Sequence, residues 1–271
     1  FYNVAASKSG SGYNLSFIYY WPGASYKMKF FAYAPEDNGQ YVLSGSTHSG
    51  SPTISVTIPG SVDDQKDLLV AKTDELAGNT NTAVPLTFHH ALTAIRFVCG
   101  DDMQGGTVKS VSLKNVCSKG IYNMGTQSWS NVDTPVTFSQ TLNKSTTGTV
   151  NEALTTATQT FMMIPQTLPE GATVEVEFTD DLTGMRRTLT ADIGGTTWPV
   201  GQTVCYRIST QSISVVPRLE VTPPADFTYE GGKAAYSVRS CLEVSRAGDE
   251  TRLLPAAWTA EFSTDDGMTW T

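Results

Sequence analysis

The sequence predicts an all-β protein of tandem β-sandwiches, and three observations carry that prediction. Apolar residues recur with period two. Ile54, Val56 and Ile58 alternate with Thr53, Ser55 and Thr57, and Val174, Val176 and Phe178 alternate with Thr173, Glu175 and Glu177. Successive side chains on a strand leave opposite faces, so each run describes a strand with one buried and one wet face. Glycine and proline fall between such runs as turn signals, at Gly105-Gly106, Pro169-Glu170-Gly171 and Gly194-Gly195. Charged residues make up only 16% of the 271 positions, and serine and threonine fill the polar ones. That composition suits strands better than helices, which draw on Glu, Lys, Ala and Leu. No segment reads as a helix longer than a turn or two.

The first strand signals are aromatic: Tyr19-Tyr20-Trp21-Pro22-Gly23, then Phe30-Phe31-Ala32-Tyr33-Ala34-Pro35. Alternation puts Phe31 and Tyr33 on the core side and Phe30 on the other. Tyr19, Tyr20, Trp21, Tyr26 and Tyr33 have the chemistry to stack on sugars, but aromatics favour strands and sandwich cores, so core packing is expected. Asp67-Leu68-Leu69-Val70-Ala71 is the next apolar run after Ile54–Ile58. Polar Gly78-Asn79-Thr80-Asn81-Thr82 then marks a boundary. Beyond it, Leu86, Phe88, His90 and Leu92 share one face while Ile95, Phe97 and Cys99 share the other. A one-residue slip moves every side chain across a sheet, so this change of phase predicts a bulge or a strand that serves two cores.

Val111 and Leu113, then Leu189, Ala191 and Ile193, then Val204, Tyr206 and Ile208 continue the alternation. A second boundary falls near 211–218, where Val215-Val216-Pro217 leads into Leu219-Glu220-Val221, and Pro223-Pro224 ends the run. The expected organisation is a first sandwich at 1–82, a second at 83–212, and the start of a further Ig-like β domain at 213–271. The chain opens on strand-like Phe1-Tyr2-Asn3-Val4 without an initiator Met and closes on Thr269-Trp270-Thr271, so it is expected to be a piece of a longer protein. It contains no signal peptide and no apolar run of membrane-spanning length.

A formal charge of −8 argues against nucleic acid or an anionic membrane as a partner held by long-range attraction. Cys99, Cys117, Cys205 and Cys241 are far apart and form no C-x-x-C pair, so no zinc site is announced. Buried free thiols are expected, with a Cys99–Cys117 or Cys117–Cys205 disulfide as the alternative. His89 and His90 are adjacent and point to opposite strand faces, unsuited to sharing one ion. His90 is expected in the core beside Leu86, Phe88 and Leu92, and His89 outside. His48 lies in a Gly/Ser-rich loop. Asp63-Asp64, Asp101-Asp102, Asp180-Asp181 and Asp265-Asp266 read as solvated turns, with weak calcium binding as the alternative. No G-x-S-x-G, H-E-x-x-H or G-x-x-x-x-G-K-[ST] occurs. No catalytic, cofactor-binding or metal residue is therefore nominated, and the protein is expected not to be an enzyme.

An ordered set of segments resembles the fimbrillin-like surface proteins of Bacteroidales. Trp21-Pro22 followed by Phe30–Pro35 looks like the first-domain pattern of that family. Asp67–Ala71 and Leu86–Leu92 look like the junction between its two domains. Val116–Tyr122 with Trp129, Phe161-Met162-Met163-Ile164-Pro165-Gln166, and Trp198-Pro199-Val200-Gly201-Gln202 with Tyr206 are similar to elements of its second domain. Leu219–Ser240 resembles the Ig-like modules, BACON modules included, often appended to such proteins. Ser263–Trp270 fits the S-x-D-x-G-x-T-W hairpin pattern known from sialidases, where it is structural. The resemblance implies transthyretin-like sandwiches at the cell surface, outer-membrane-associated or fimbrial. It implies partnership with other fimbrial subunits by donor-strand addition. A structural or accessory, tip-type subunit is expected, with host or microbial glycans or proteins as further partners. A carbohydrate-binding surface lipoprotein that does not polymerise is the alternative.

Overall fold

The computed structural model describes residues 1–10, 12–36, 39–181 and 186–210, and the backbone of 213–222, 237–246 and 252–255. Ala6–Ser9 (β1), Gly12–Leu15 (β2), Lys27–Met28 (β3), Phe31–Ala34 (β4), Tyr41–Leu43 (β5) and Thr53–Thr57 (β6) precede a 3-10 turn at Val62–Asp64. Leu69–Lys72 (β7), Leu76–Ala77 (β8), His89–His90 (β9) and Thr93–Cys99 (β10) lead to two long strands, Gly106–Asn123 (β11) and Ser128–Thr146 (β12). After a 3-10 turn at Ala157–Gln159 come Phe161–Met163 (β13), Thr173–Asp180 (β14), Arg186–Asp192 (β15) and Thr203–Ile208 (β16). Ile213–Thr222 (β17), Ser237–Arg246 (β18) and Arg252–Pro255 (β19) complete the set. The all-β class is as the alternation predicts; the only helical residues among those described are the two 3-10 turns.

The hairpin of β11 and β12 is the spine. Along its other edge, β11 pairs with β14 over Gly106–Lys114 and with β6 over Lys119–Asn123, and β15 and β5 extend those two branches. At about 3.4 Å per residue, an 18-residue strand spans roughly 60 Å, long enough to carry both branches end to end. Strands from either side of residue 82 therefore share one sheet. The spine bends through three irregularities, between Val108 and Ser110, Leu113 and Val116, and Lys119 and Ile121. Asn115 (φ 57°), Asn131 (φ 50°) and Asn143 (φ 48°) sit at them in the left-handed region, which asparagine tolerates better than most residues. Gly120 sits close for a different reason: a Cβ there would come within 3.1 Å of the Trp129 ring, which would have to give by a few tenths of an ångström.

A second sheet, in the order β13-β10-β16, pairs β10 antiparallel to β13 and parallel to β16. Val204, Tyr206 and Ile208 of β16 and Ile95, Phe97 and Cys99 of β10 are buried, as their alternation requires. Phe97 stacks on Tyr206 at 5.8 Å and meets Phe161 edge-on at 6.1 Å. Trp198 is fully buried and donates through Nε1 to the Tyr206 hydroxyl at 2.8 Å. Burial pushes that phenol up to about 12. Gln166 acts as a piece of strand: its Oε1 accepts from Cys117 N at 3.0 Å, and its Nε2 donates to Cys117 O at 3.1 Å. Phe97, Phe161, Trp198 and Tyr206 belong to one continuous core that also takes in Tyr41, Ile54 and Val56.

The predicted phase change falls where the chain changes sheets. β9 pairs with β7, in the sheet β4-β7-β9, and β10 lies in the sheet with β13 and β16. Ala91 and Leu92, between them, and Thr93 at the start of β10 are all buried. Trp129 Nε1 donates to Ala91 O at 2.9 Å and Gly201 N to Leu92 O at 2.9 Å, so the crossing is held from two directions. Two small sheets, β1-β2 and β3-β8, complete the N-terminal part. β17, β18 and β19 form an antiparallel sheet within the stretch assigned to a further domain. Most of Leu219–Ser240, Asp265-Asp266 and the Ser263–Trp270 pattern lie outside the described residues.

Candidate functional site

The residues that draw attention as chemistry do not assemble into a reactive centre. His90 is a correction to the sequence reading: it is exposed, as are His89 and Phe88. β9 pairs with β7 over only two residues, and the buried face begins one position later, at Ala91. His90 Nδ1 pairs instead with the Asp67 carboxylate. That hydrogen bond raises the imidazole above its ordinary value, with partial burial acting against it. His48 is exposed in the loop after β5. Asp63 and Asp64 occupy the first 3-10 turn, Asp101 and Asp102 the turn after β10, and Asp181 the turn after β14. Among the described residues, no group of three or more His, Cys, Asp or Glu is placed to hold a metal ion.

Cys99, Cys117 and Cys205 are free thiols, and neither disulfide weighed from the sequence forms. Burial pushes all three thiols up. A thiol so shifted carries little nucleophilic thiolate at neutral pH. Cys99 sits inside a small polar cluster, with Sγ 3.1 Å from Thr146 Oγ1, which donates in turn to Glu152 at 2.6 Å. That hydrogen bond leads the effects holding Glu152 below the usual carboxylate range.

The surface is more informative. Core packing holds for Phe31 and Tyr33, which lie against the core, and in part for Trp21, half-buried and edge-on to Phe30 at 5.9 Å. It fails for Tyr19, Tyr20 and Tyr26. These are exposed together with Tyr13, Phe17 and Ile18; Tyr20 is 88% and Ile18 83% accessible. Among the described residues β1 and β2 pair only with each other, residues 16–26 form no strand, and no facing sheet covers these rings. Tyr13, Phe17 and Ile18 escape sequence reasoning. Their signal is Phe17-Ile18-Tyr19-Tyr20, four large residues in a row without the alternation of a buried strand.

Sheet edges form the other candidate surface, because an edge presents unpaired backbone donors and acceptors to any passing strand. The outer edge of β13 is closed: Gln65 Oε1 accepts from Met162 N at 2.8 Å while its Nε2 donates to Pro59 O at 2.9 Å. β15 is guarded by charge at Arg186, Arg187 and Asp192. β16 has β10 on one side and, among the described residues, no strand on the other. β12 likewise pairs only with β11 along its 19 residues. Its stretch 134–143, TPVTFSQTLN, carries no charge.

A family profile described as fimbrillin-like matches residues 2–223 of this chain. Among curated proteins none matches it. Among solved structures, a fimbrial protein from Bacteroides vulgatus ATCC 8482 is similar over 88% of this chain and 84% of its own, with 17% identity and a TM-score of 0.53. A candidate cell adhesion protein from Bacteroides uniformis ATCC 8492 aligns over 78% of this chain and 72% of its own, with 18% identity and a TM-score of 0.43. At such identities the first of these likenesses concerns the fold.

Proposed function

From its place in the fimbrillin-like family, to which this chain belongs, we propose that it is a non-enzymatic, tip-type accessory subunit of cell-surface fimbriae, assembled by strand addition and active in adhesion. A fimbrial or adhesion protein works at the cell surface or outside the cell. The finer placement proposed is the outer membrane of a Bacteroidales cell, with other fimbrial subunits as partners. The observation that carries strand addition is the edge of β16 that no described strand occupies, in a three-stranded sheet whose opposite edge is already closed by Gln65. An incoming strand gains backbone hydrogen bonds there, and its alternate side chains set the register. The tip assignment rests on β18 and β19, which lie beyond the matched residues 2–223 and would crowd a repeating shaft. The division into two sandwiches at 82/83, with β11 and β12 shared between them, belongs to the same proposal.

The test is a blot of native surface material run in SDS with and without boiling. Strand-exchanged polymers give a ladder that collapses on boiling, and a single band in both lanes overturns strand addition. Immunogold label repeated regularly along filament shafts overturns the tip role. A second reading, a carbohydrate-binding surface lipoprotein that does not polymerise, is favoured by the uncovered Tyr13, Tyr20 and Tyr26. It requires glycan binding that Tyr20→Ala abolishes, with no filament association.

A further inference from the structure

The edge of β12 lacks the devices that mark the edges of β15 and β13. Arg186, Arg187 and Asp192 mark β15, and Gln65 fills the backbone positions beside β13. Edge strands commonly carry such devices, since an unguarded edge recruits other strands. β12 has guards only at the ends of one stretch. Pro135 precedes Val136, and Asn143, in the left-handed conformation, follows Leu142. Between them, Val136-Thr137-Phe138-Ser139-Gln140-Thr141-Leu142 contains no charge, glycine or proline. From Val136 through Thr141 its pairing with β11 has one irregularity, where the extra residue lies in β11, so β12 itself carries no bulge in this stretch.

Laid antiparallel on itself about Ser139, this stretch is self-complementary. Thr137 meets the second copy's Thr141, Ser139 meets its own equivalent, and Val136 meets Leu142. Thr137, Ser139 and Thr141 are exposed on the outer face. Hydroxyl pairs across neighbouring strands are favourable, and the molecule already uses one at this position: Ser112 Oγ and Ser139 Oγ are 2.8 Å apart between β11 and β12. Charge points to the same occupant. Two copies, each of formal charge −8, repel one another, and the repulsion is least where neither carries charge, as at 134–143.

We propose that β12 is a lateral docking edge for a second copy of this chain, the two β12 strands pairing antiparallel about Ser139 to join two sheets into one. The contact is a two-fold, isologous one and closes on itself, so it cross-links filaments or pairs subunits without growing a polymer of its own. It is separate from the β16 edge and does not depend on strand addition there. A seven-residue strand pairing is smaller than a standard stable interface of about 1,600 Å² in total, so affinity is low in dilute solution and rises when copies are held close together.

The test is oxidative cross-linking of the 271-residue chain carrying Ser139→Cys. The predicted register brings the two substituted side chains face to face, within the Cα separation of about 4.4–6.8 Å that a disulfide needs. Ser145→Cys, exposed on the same strand but out of register, and the unsubstituted chain are the controls. The expected result is a covalent dimer from Ser139→Cys at least tenfold above both controls. Sedimentation at high concentration is the companion measurement, in which Thr137→Lys, a charge placed on the edge, weakens self-association at least tenfold. Dimer yield no greater than that of the controls, or self-association indifferent to Thr137→Lys, overturns the proposal.

Discussion

Aromatic side chains are dense in two parts of the molecule, and only one part buries them. Phe97, Phe161, Trp198 and Tyr206 lie fully inside, in ring contact with one another or joined by a hydrogen bond. Tyr13, Phe17, Tyr20 and Tyr26, no less apolar, stand in solvent. The difference lies in what faces them. β10 and β16 are strands of a sheet that shares one core with the β11 spine, whereas β1 and β2, among the described residues, have only each other. A ring's chemistry sets what burial is worth, and a partner layer decides whether burial happens.

Four measurements break or sharpen this contrast. Phe97→Ala removes a ring at the centre of the buried cluster and is expected to cost about 3–5 kcal/mol, read as a shift in the denaturation midpoint. A cost below about 1 kcal/mol there would erase the distinction between the two regions. Trp198→Phe keeps most of the packing but deletes the bond to the Tyr206 hydroxyl. Leaving that buried group short of a partner is expected to cost about 1–3 kcal/mol.

The His90–Asp67 pair ranks third and is read through pH. Because the folded imidazole lies above its ordinary 6.5, the pair's contribution is complete below that value. It fades as pH rises through the raised folded value. The stability gap between the unsubstituted chain and His90→Gln is thus expected to narrow from pH 6 to pH 8.5. With 63% of the His90 side chain exposed, it stays within the ~0–1 kcal/mol typical of exposed pairs. A gap that widens with pH contradicts the assignment. The smallest stability effect is that of Tyr20→Ala, expected within about 0.5 kcal/mol by thermal melting. A loss like that of Phe97→Ala would mean that this ring, too, has a covering layer.

The sequence made some elements legible for a physical reason. Ile54–Ile58 and Thr173–Phe178 alternate cleanly because each pairs regularly on one wet and one dry face. The phase change near Leu92, read as a bulge or a strand serving two cores, instead marks the step from β9 to β10, which lie in different sheets over one continuous core. The length of β11 and β12 stayed hidden, because left-handed Asn115, Asn131 and Asn143 each shift the phase and make one strand look like several. The parallel pairing of β10 with β16 joins segments about a hundred residues apart, which no local pattern reports. His90 was misplaced because a face was extended from Leu92 backwards across the point where the backbone changes partners. The candidate surfaces were the least legible: alternation tells which side chains oppose one another, and exposure depends on the layer that covers them.

The shared spine has a mechanical consequence. Because β14 grips the first half of β11 and β6 the second, a pull that separates those two branches along the strand axis runs lengthwise through β11. The hydrogen bonds on each side then carry the load in parallel, and many must yield at once. A peeling pull would break them one after another. An adhesin held through one branch and bound through the other would be loaded in the first way, with the long strand as its tendon.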